Sequence, residues 1–261
     1  MVPLSKGDTA ICIGTVFHRF GEKEPSQGRL LLFKAEFDAR LSRKKRQLKQ
    51  ISELDVNGCV YALALVNGLL AAAIGPTVGY IFPTVSAEFK LLRQVSLYKV
   101  DNTGLQRVAD WRHNYLVTSL VARGSRLFVG DAICSVSIID LIQAEGGEFR
   151  LESVAKDFSP LWPVTVESLD RDTIIGANVS HLVFIASKYS NGVFRLSQCD
   201  CNLFIYSVQR GETKTSLERD GFWNLGEVVN KFIPGNRISS HDWPVTRTCL
   251  LTADPPRSIA V

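Results

Sequence analysis

Asp157-Phe158-Ser159-Pro160-Leu161-Trp162 and, past a polar turn, Asp172-Thr173-Ile174-Ile175-Gly176-Ala177-Asn178 form the stretch from which the rest of the chain can be read. Short apolar runs rich in β-branched residues and bounded by Gly, Asn and Asp read as strands, and a Gly inside such a run marks backbones in close approach. A second apolar run, Leu203-Phe204-Ile205-Tyr206, follows it. The same pattern recurs upstream. Thr9-Ala10-Ile11-Cys12-Ile13-Gly14 leads to Gly28-Arg29-Leu30-Leu31-Leu32-Phe33, and Gly68-Leu69-Leu70-Ala71-Ala72-Ala73-Ile74-Gly75 leads to Val95-Ser96-Leu97-Tyr98. Ser125-Arg126-Leu127-Phe128-Val129-Gly130-Asp131 leads to Ser135-Val136-Ser137-Ile138-Ile139. Each pair predicts the two inner strands of one blade, and a spacing of about 40–60 residues suits four-stranded propeller blades. WD dipeptides are absent, so the expected class is an all-β, WD-like propeller outside the common WD sequence type.

Helical 3.6 periodicity is sustained nowhere; the best candidate, residues 34–50, is mostly charge. Arg43-Lys44-Lys45-Arg46 within it reads either as a solvated hairpin tip or as a nuclear-import patch. From Val60 to Phe82 there is no charged residue, a length sufficient to span a bilayer. Asn67-Gly68 in its middle, and Gly75, Pro76 and Gly79 after it, instead predict two short strands around a tight turn, and no membrane partner is expected.

With 46% hydrophobic and 21% charged residues, the 261-residue chain has enough apolar material for a sizeable core. A net charge of +4 is too weak to argue nucleic-acid binding without a localised patch. The 6 cysteines are scattered without a CxxC pair, which favours reduced thiols over a disulfide framework. The polar start Met1-Val2-Pro3-Leu4-Ser5-Lys6-Gly7-Asp8 has no apolar core of a secretory signal.

No catalytic signature is present: there is no GxSxG, GxxxxGK[ST] or HExxH, and the 4 histidines are far apart. Cys199 and Cys201 alone make no zinc site, and Asp170 and Asp172 flank a turn, where Asp bonds its own backbone. The expectation is a non-enzyme without cofactor or metal. Tyr98, Trp111, Tyr115, Trp162 and Phe204, beside Arg107, Arg112 and Arg123, offer stacking platforms for nucleic acid or, at alternating strand positions, belong to the core. Ser159-Pro160-Leu161-Trp162-Pro163 suits protein binding. Two prolines hold a Trp in a loop, which lowers the entropy lost when it docks. The alternative for Trp162 is a core position between blades.

Several motifs in fixed order resemble one family. They are Ser26-Gln27-Gly28-Arg29, Val56-Asn57-Gly58-Cys59-Val60-Tyr61, Val129-Gly130-Asp131, Asp157-Phe158-Ser159-Pro160-Leu161-Trp162 and Leu225-Gly226-Glu227-Val228-Val229-Asn230-Lys231-Phe232. The family comprises the damaged-DNA-binding adaptor of cullin-RING ubiquitin ligases, with its third propeller the part resembled, and paralogues in the cleavage and polyadenylation specificity factor and the splicing factor 3b complex. The resemblance implies an incomplete seven-bladed β-propeller over residues 1–235. It implies a non-catalytic scaffold that docks substrate-receptor proteins onto a cullin-based ligase in DNA repair, in the nucleus and also the cytoplasm. The alternative is a nucleic-acid-associated subunit of the polyadenylation or splicing machinery, with indirect or weak nucleic-acid association.

Carried over position by position, Trp162, Pro160, Asn178 and Asn230 contribute to the receptor-facing surface. Cys134 stands where the family usually has Arg, and Val228 where an aromatic is usual. Residues 78–94 and 179–198 have no counterpart in the resembled pattern. Each segment begins with Val and ends with Gln, as a translated splice donor and acceptor would, so unspliced introns and long loop insertions are the two open readings. Residues 236–261 are expected to form a poorly ordered tail outside the family.

Overall fold

The computed structural model describes residues 2–3, 9–22, 25–38, 45–75, 94–101, 104–112, 116–132, 134–181, 199–211, 215–236 and 247–253. Every regular element among them is a strand. The first sheet runs in the order β1 (Val2–Pro3), β2 (Thr9–Gly14), β3 (Gln27–Asp38) and β4 (Lys45–Asn57). The second holds β5 (Val60–Val66), β6 (Leu69–Ile74), β7 (Gln94–Val100) and β8 (Leu105–Arg112). The third holds β9 (Val117–Arg123), β10 (Arg126–Asp131), β11 (Val136–Gln143) and β12 (Phe149–Lys156). The fourth holds β13 (Pro163–Ser168), β14 (Thr173–His181), β15 (Cys199–Arg210) and β16 (Thr215–Asn224), and a two-stranded sheet pairs β17 (Val229–Asn236) with β18 (Arg247–Ala253).

All the sheets keep sequence order, as successive meanders do, and the four inner pairs are those the repeats predict: β2–β3, β6–β7, β10–β11 and β14–β15. Of the charged residues 34–50, 34–38 belong to β3 and 45–50 to β4, with Asp38 opposite Lys45. Arg43 and Lys44 of the basic run fall outside the described residues, as do residues 76–93 and 182–198.

The chain divides into two compact units, one of Met1–Val129 with Ile138–Val154 and one of Gly130–Ser137 with Ala155–Val261. In the first, Leu69 through Ile74 are all buried, so β6 reads as an unbroken apolar run instead of an alternating one. Asn67 and Gly68 turn the chain between β5 and β6 with φ of 45° and 78°, the left-handed pair that a two-residue hairpin needs. The uncharged run from Val60 is thus a hairpin as far as Ile74, and no helix among the described residues is long and apolar enough to cross a membrane.

The core of this unit packs Val66, Ala71, Ala73, Val95 and Leu97 against Val117, Leu127, Val129 and Ile139. Arg126, on the buried strand β10, is 4% exposed and donates to both Asp140 carboxylate oxygens at 2.6 and 2.8 Å. That pairing answers the desolvation of the guanidinium.

In the second unit, Gly176 is required by packing. A Cβ there would lie inside the ring of Phe204, which is itself fully buried. Ala177, Val229 and Phe232 form a small core with Ile175, Leu203 and Leu225 around it. Strand β14 does not stop at Asn178 but runs on through Val179, Ser180 and His181, which pair with Cys201, Asp200 and Cys199. Cys12, Cys59, Cys134 and Cys201 are free thiols.

Candidate functional site

One end of the fourth sheet is defined by its register. Pro163 lies opposite Asn178, Asn178 opposite Asn202, and Asn202 opposite Asn224, a single row crossing the sheet where β13 begins and β16 ends. The loops that leave this row are the Asp157–Trp162 segment before β13 and the Leu225–Val228 segment after β16. In the second of these, the N–H groups of Leu225 and Gly226 both donate to the Cys201 carbonyl, at 2.9 and 3.1 Å. Gly226 takes φ 74°, which turns the chain into β17 and sends Val229 and Phe232 into the core. Val228, 41% exposed, and Asn230 stay at the surface.

The Asp157–Trp162 loop is held from two sides. The Asp157 carboxylate accepts the hydroxyls of Ser135 and Ser159, the Ser159 N–H at 3.3 Å and the Tyr206 hydroxyl at 3.0 Å. Its own N–H donates to the Val136 carbonyl at 3.0 Å. Burial pushes the Asp157 carboxyl up, but the four hydrogen bonds together outweigh burial and hold it below the ordinary carboxylate value. Further on, the Leu161 N–H donates to the Cys134 carbonyl at 2.6 Å, and the Leu161 carbonyl accepts from Asn178 Nδ2 at 2.9 Å. The Val179 N–H reaches the Trp162 carbonyl at 3.4 Å.

The loop so fixed buries Leu161 and presents its neighbours. Phe158 is 72% exposed, with Lys156 Nζ 5.3 Å from its ring centre, and Pro160 is exposed. Trp162 is 40% exposed and takes φ 52°, a left-handed backbone that a bulky residue adopts only under constraint. It is therefore a surface residue and not a core position between blades.

The residues singled out from sequence thus divide by role. Trp162, Pro160, Val228 and Asn230 are exposed around this end of the sheet. Asn178 is 6% exposed and works from beneath, as the tether of Leu161. Its Oδ1 has no hydrogen-bond partner among the described residues. Cys134 contributes its backbone carbonyl. Its thiol is pushed up by burial, with Asp131 and Asp157 adding to the shift against Lys156, so it stays protonated at neutral pH.

Ser135 and Tyr206 are the residues that sequence reasoning missed. They lie 22 and 49 residues from Asp157, so no local spacing links them to it. Two buried side chains with hydroxyls, each beside an apolar strand, are the signal available. Of the aromatics weighed as stacking platforms, Tyr98 and Phe204 are buried core residues and Tyr115 lies outside the described residues. Asp170 caps its own turn, accepting the Asp172 N–H at 2.8 Å, and Asp172 pairs with Arg210.

Successive four-stranded meanders, with loops at their ends pinned by side chains, are the blades of a β-propeller, a scaffold class. The chain belongs to the CPSF A subunit region family, whose model it matches over residues 1–81 and 91–253. The match continues through residues 179–198 and past Gly235 to the end of β18. The chain is 29% identical over 227 residues to DNA damage-binding protein 1 of Solanum lycopersicum, which covers 87% of this chain and 17% of that protein. It is also 29% identical over 232 residues to DNA damage-binding protein 1a of Arabidopsis thaliana and to DNA damage-binding protein 1 of Oryza sativa subsp. japonica, with the same coverage. The chain thus spans 17% of the length of these curated relatives.

Proposed function

We propose that this chain is a non-catalytic propeller scaffold, and that the surface around Trp162 docks substrate-receptor proteins of a cullin-based ubiquitin ligase acting in DNA repair in the nucleus. One observation carries the reading: an exposed Trp in a left-handed backbone conformation, on a loop whose N–H and C=O groups are tied down on both sides. A large rigid side chain presented this way docks with little ordering entropy still to lose, as interface anchors do. Phe158 and Pro160 on the same loop, and Val228 and Asn230 after the Leu225–Gly226 turn, are exposed apolar and neutral polar residues of the kind found in interfaces, beside the charged Lys156 and Glu227. The similarity to DNA damage-binding proteins supports the repair context.

The test is capture from nuclear extract by the tagged chain and by its Trp162→Ala variant, with retained proteins identified by mass spectrometry. Receptor proteins of a cullin ligase are expected on the parent chain and depleted on the variant. Retention of polyadenylation or splicing subunits in their place would favour an RNA-processing role. A folded Trp162→Ala chain that keeps full receptor capture would remove Trp162 from the surface.

A further inference from the structure

We propose that Ser159 is the phosphoacceptor of a proline-directed protein kinase, and that a phosphate there releases the loop carrying Trp162. Ser159-Pro160 is the one Ser-Pro or Thr-Pro pair in the sequence; none of the other prolines among the 10 follows Ser or Thr. Phe158, Ser159 and Pro160 are consecutive exposed residues, so the dipeptide lies at the surface where a kinase cleft meets it. The side chain also sits against the carboxylate that organises the loop. Its hydroxyl donates to the Asp157 carboxylate, which also takes Ser135 and Tyr206.

In the transfer, Ser159 Oγ attacks the γ-phosphorus of ATP. The Oγ–P bond forms as the bond to the β,γ-bridging oxygen breaks, ADP leaves, and the hydroxyl proton passes to the catalytic carboxylate of the kinase. The product has lost its hydroxyl donor to Asp157, keeps only the Ser159 N–H, and carries about −1.5 to −2 charge beside an ionised carboxylate. Attraction within the loop became repulsion at hydrogen-bond range. Lys156 is the cation near this point, and a phosphate draws its Nζ from the face of Phe158, so the exposed aromatic is displaced as well. Asp131, in the adjoining turn where its carboxylate accepts the Cys134 N–H at 3.1 Å, adds a further negative charge and no compensation.

The modification is independent of the docking reading, whereas its consequence for receptor capture rests on that reading. The folded chain is incubated with a proline-directed kinase and ATP and analysed by intact mass and peptide mapping. One phosphate at Ser159 is expected, and none on Ser159→Ala. Hydrogen exchange over residues 157–163 reads the loop: protection of the Leu161 N–H, given by the Cys134 carbonyl, is expected to fall in the phosphorylated chain and in Ser159→Asp, and to persist in Ser159→Ala. A folded chain left unmodified at Ser159 while the denatured chain accepts phosphate overturns the site. A phosphorylated chain with unchanged protection overturns the release. Capture of receptors should drop on phosphorylation to the level of Trp162→Ala. If Trp162→Ala loses capture while the phosphorylated chain keeps it, the regulatory consequence is wrong. If Trp162→Ala keeps capture, the docking reading fails, and the mass and exchange results still decide the site and the release.

Discussion

Replacing Asp157 with Ala removes one acceptor and strands several donors at once. Ser135 and Tyr206 are 1% and 3% exposed, so water does not readily take the place of the carboxylate for either hydroxyl. A buried donor left without its acceptor costs about 1–3 kcal/mol, and two of them set the expected loss at about 2–6 kcal/mol. Ser159 is exposed and turns to water, so its two bonds add little. Asp157→Asn keeps the shape and one acceptor, and the hydroxyls rotate to accept from the new amide; its loss should be about 1 kcal/mol.

Urea unfolding followed by tryptophan fluorescence measures both, with the denaturant slope unchanged if the folded states are alike. The pH dependence has a fixed sign. A carboxyl held below its ordinary value of 3.8 in the folded chain contributes fully above that value, and the contribution fades as pH falls through the folded pKa. The gap between parent and Asp157→Ala should therefore be flat through the neutral and mildly acid range and narrow below about pH 4. An Asp157→Ala chain within about 0.5 kcal/mol of the parent at neutral pH, or a gap that stays constant into acid, would refute the hub assigned to this carboxylate.

Gly176→Ala drives a Cβ into the fully buried ring of Phe204, and overpacking of that kind costs about 1–3 kcal/mol, readable as a lowered urea midpoint. For the Arg126–Asp140 pair the two ends are unequal, with side chains 5% and 25% exposed. Asp140→Leu takes a carboxylate from the more deeply buried charge, so it should destabilise more than Arg126→Met, and the double variant should recover much of the loss in a double-mutant cycle. Trp162→Gly should be more stable than Trp162→Ala by about 1 kcal/mol in the same assay, because φ 52° strains every residue but Gly. At an ordinary loop position Gly is the less stable of the two, so the sign alone decides.

The inner strand pairs were legible in the sequence because each carries its own signal. Ile174-Ile175-Gly176 and Leu203-Phe204-Ile205 are apolar runs of strand length, and the Gly is there because Phe204 occupies the space a Cβ would need. Outer strands carry less. β4 reads as Lys45-Arg46-Gln47-Leu48-Lys49-Gln50, where charge conceals the strand, and only its pairing with β3 from Asp38–Lys45 to Gln27–Asn57 makes it one. The Trp162 loop was legible as a Pro-held aromatic, but its tethers were not. A hydrogen bond from Tyr206 or Ser135 to Asp157 depends on which blade ends meet, and that is set by tertiary packing. For the same reason Asn178, grouped by resemblance with the surface residues, proves to be 6% exposed.

Backbone strain at Trp162 binds these features together. A left-handed bulky residue relaxes to an ordinary conformation unless its neighbours forbid it, and here they do. The Leu161 N–H and C=O are held by Cys134 and Asn178, the Trp162 C=O by Val179, and Pro163 opens β13 with its φ already fixed. Freed of strain, the chain would turn the indole elsewhere; held, it keeps the ring 40% exposed above a buried Leu161. The hydrogen bonds do not require the indole, because the same backbone path with Gly at 162 would satisfy every one of them. On the proposed docking function, an aromatic at a position where Gly fits the backbone better is accounted for by the partner it would touch.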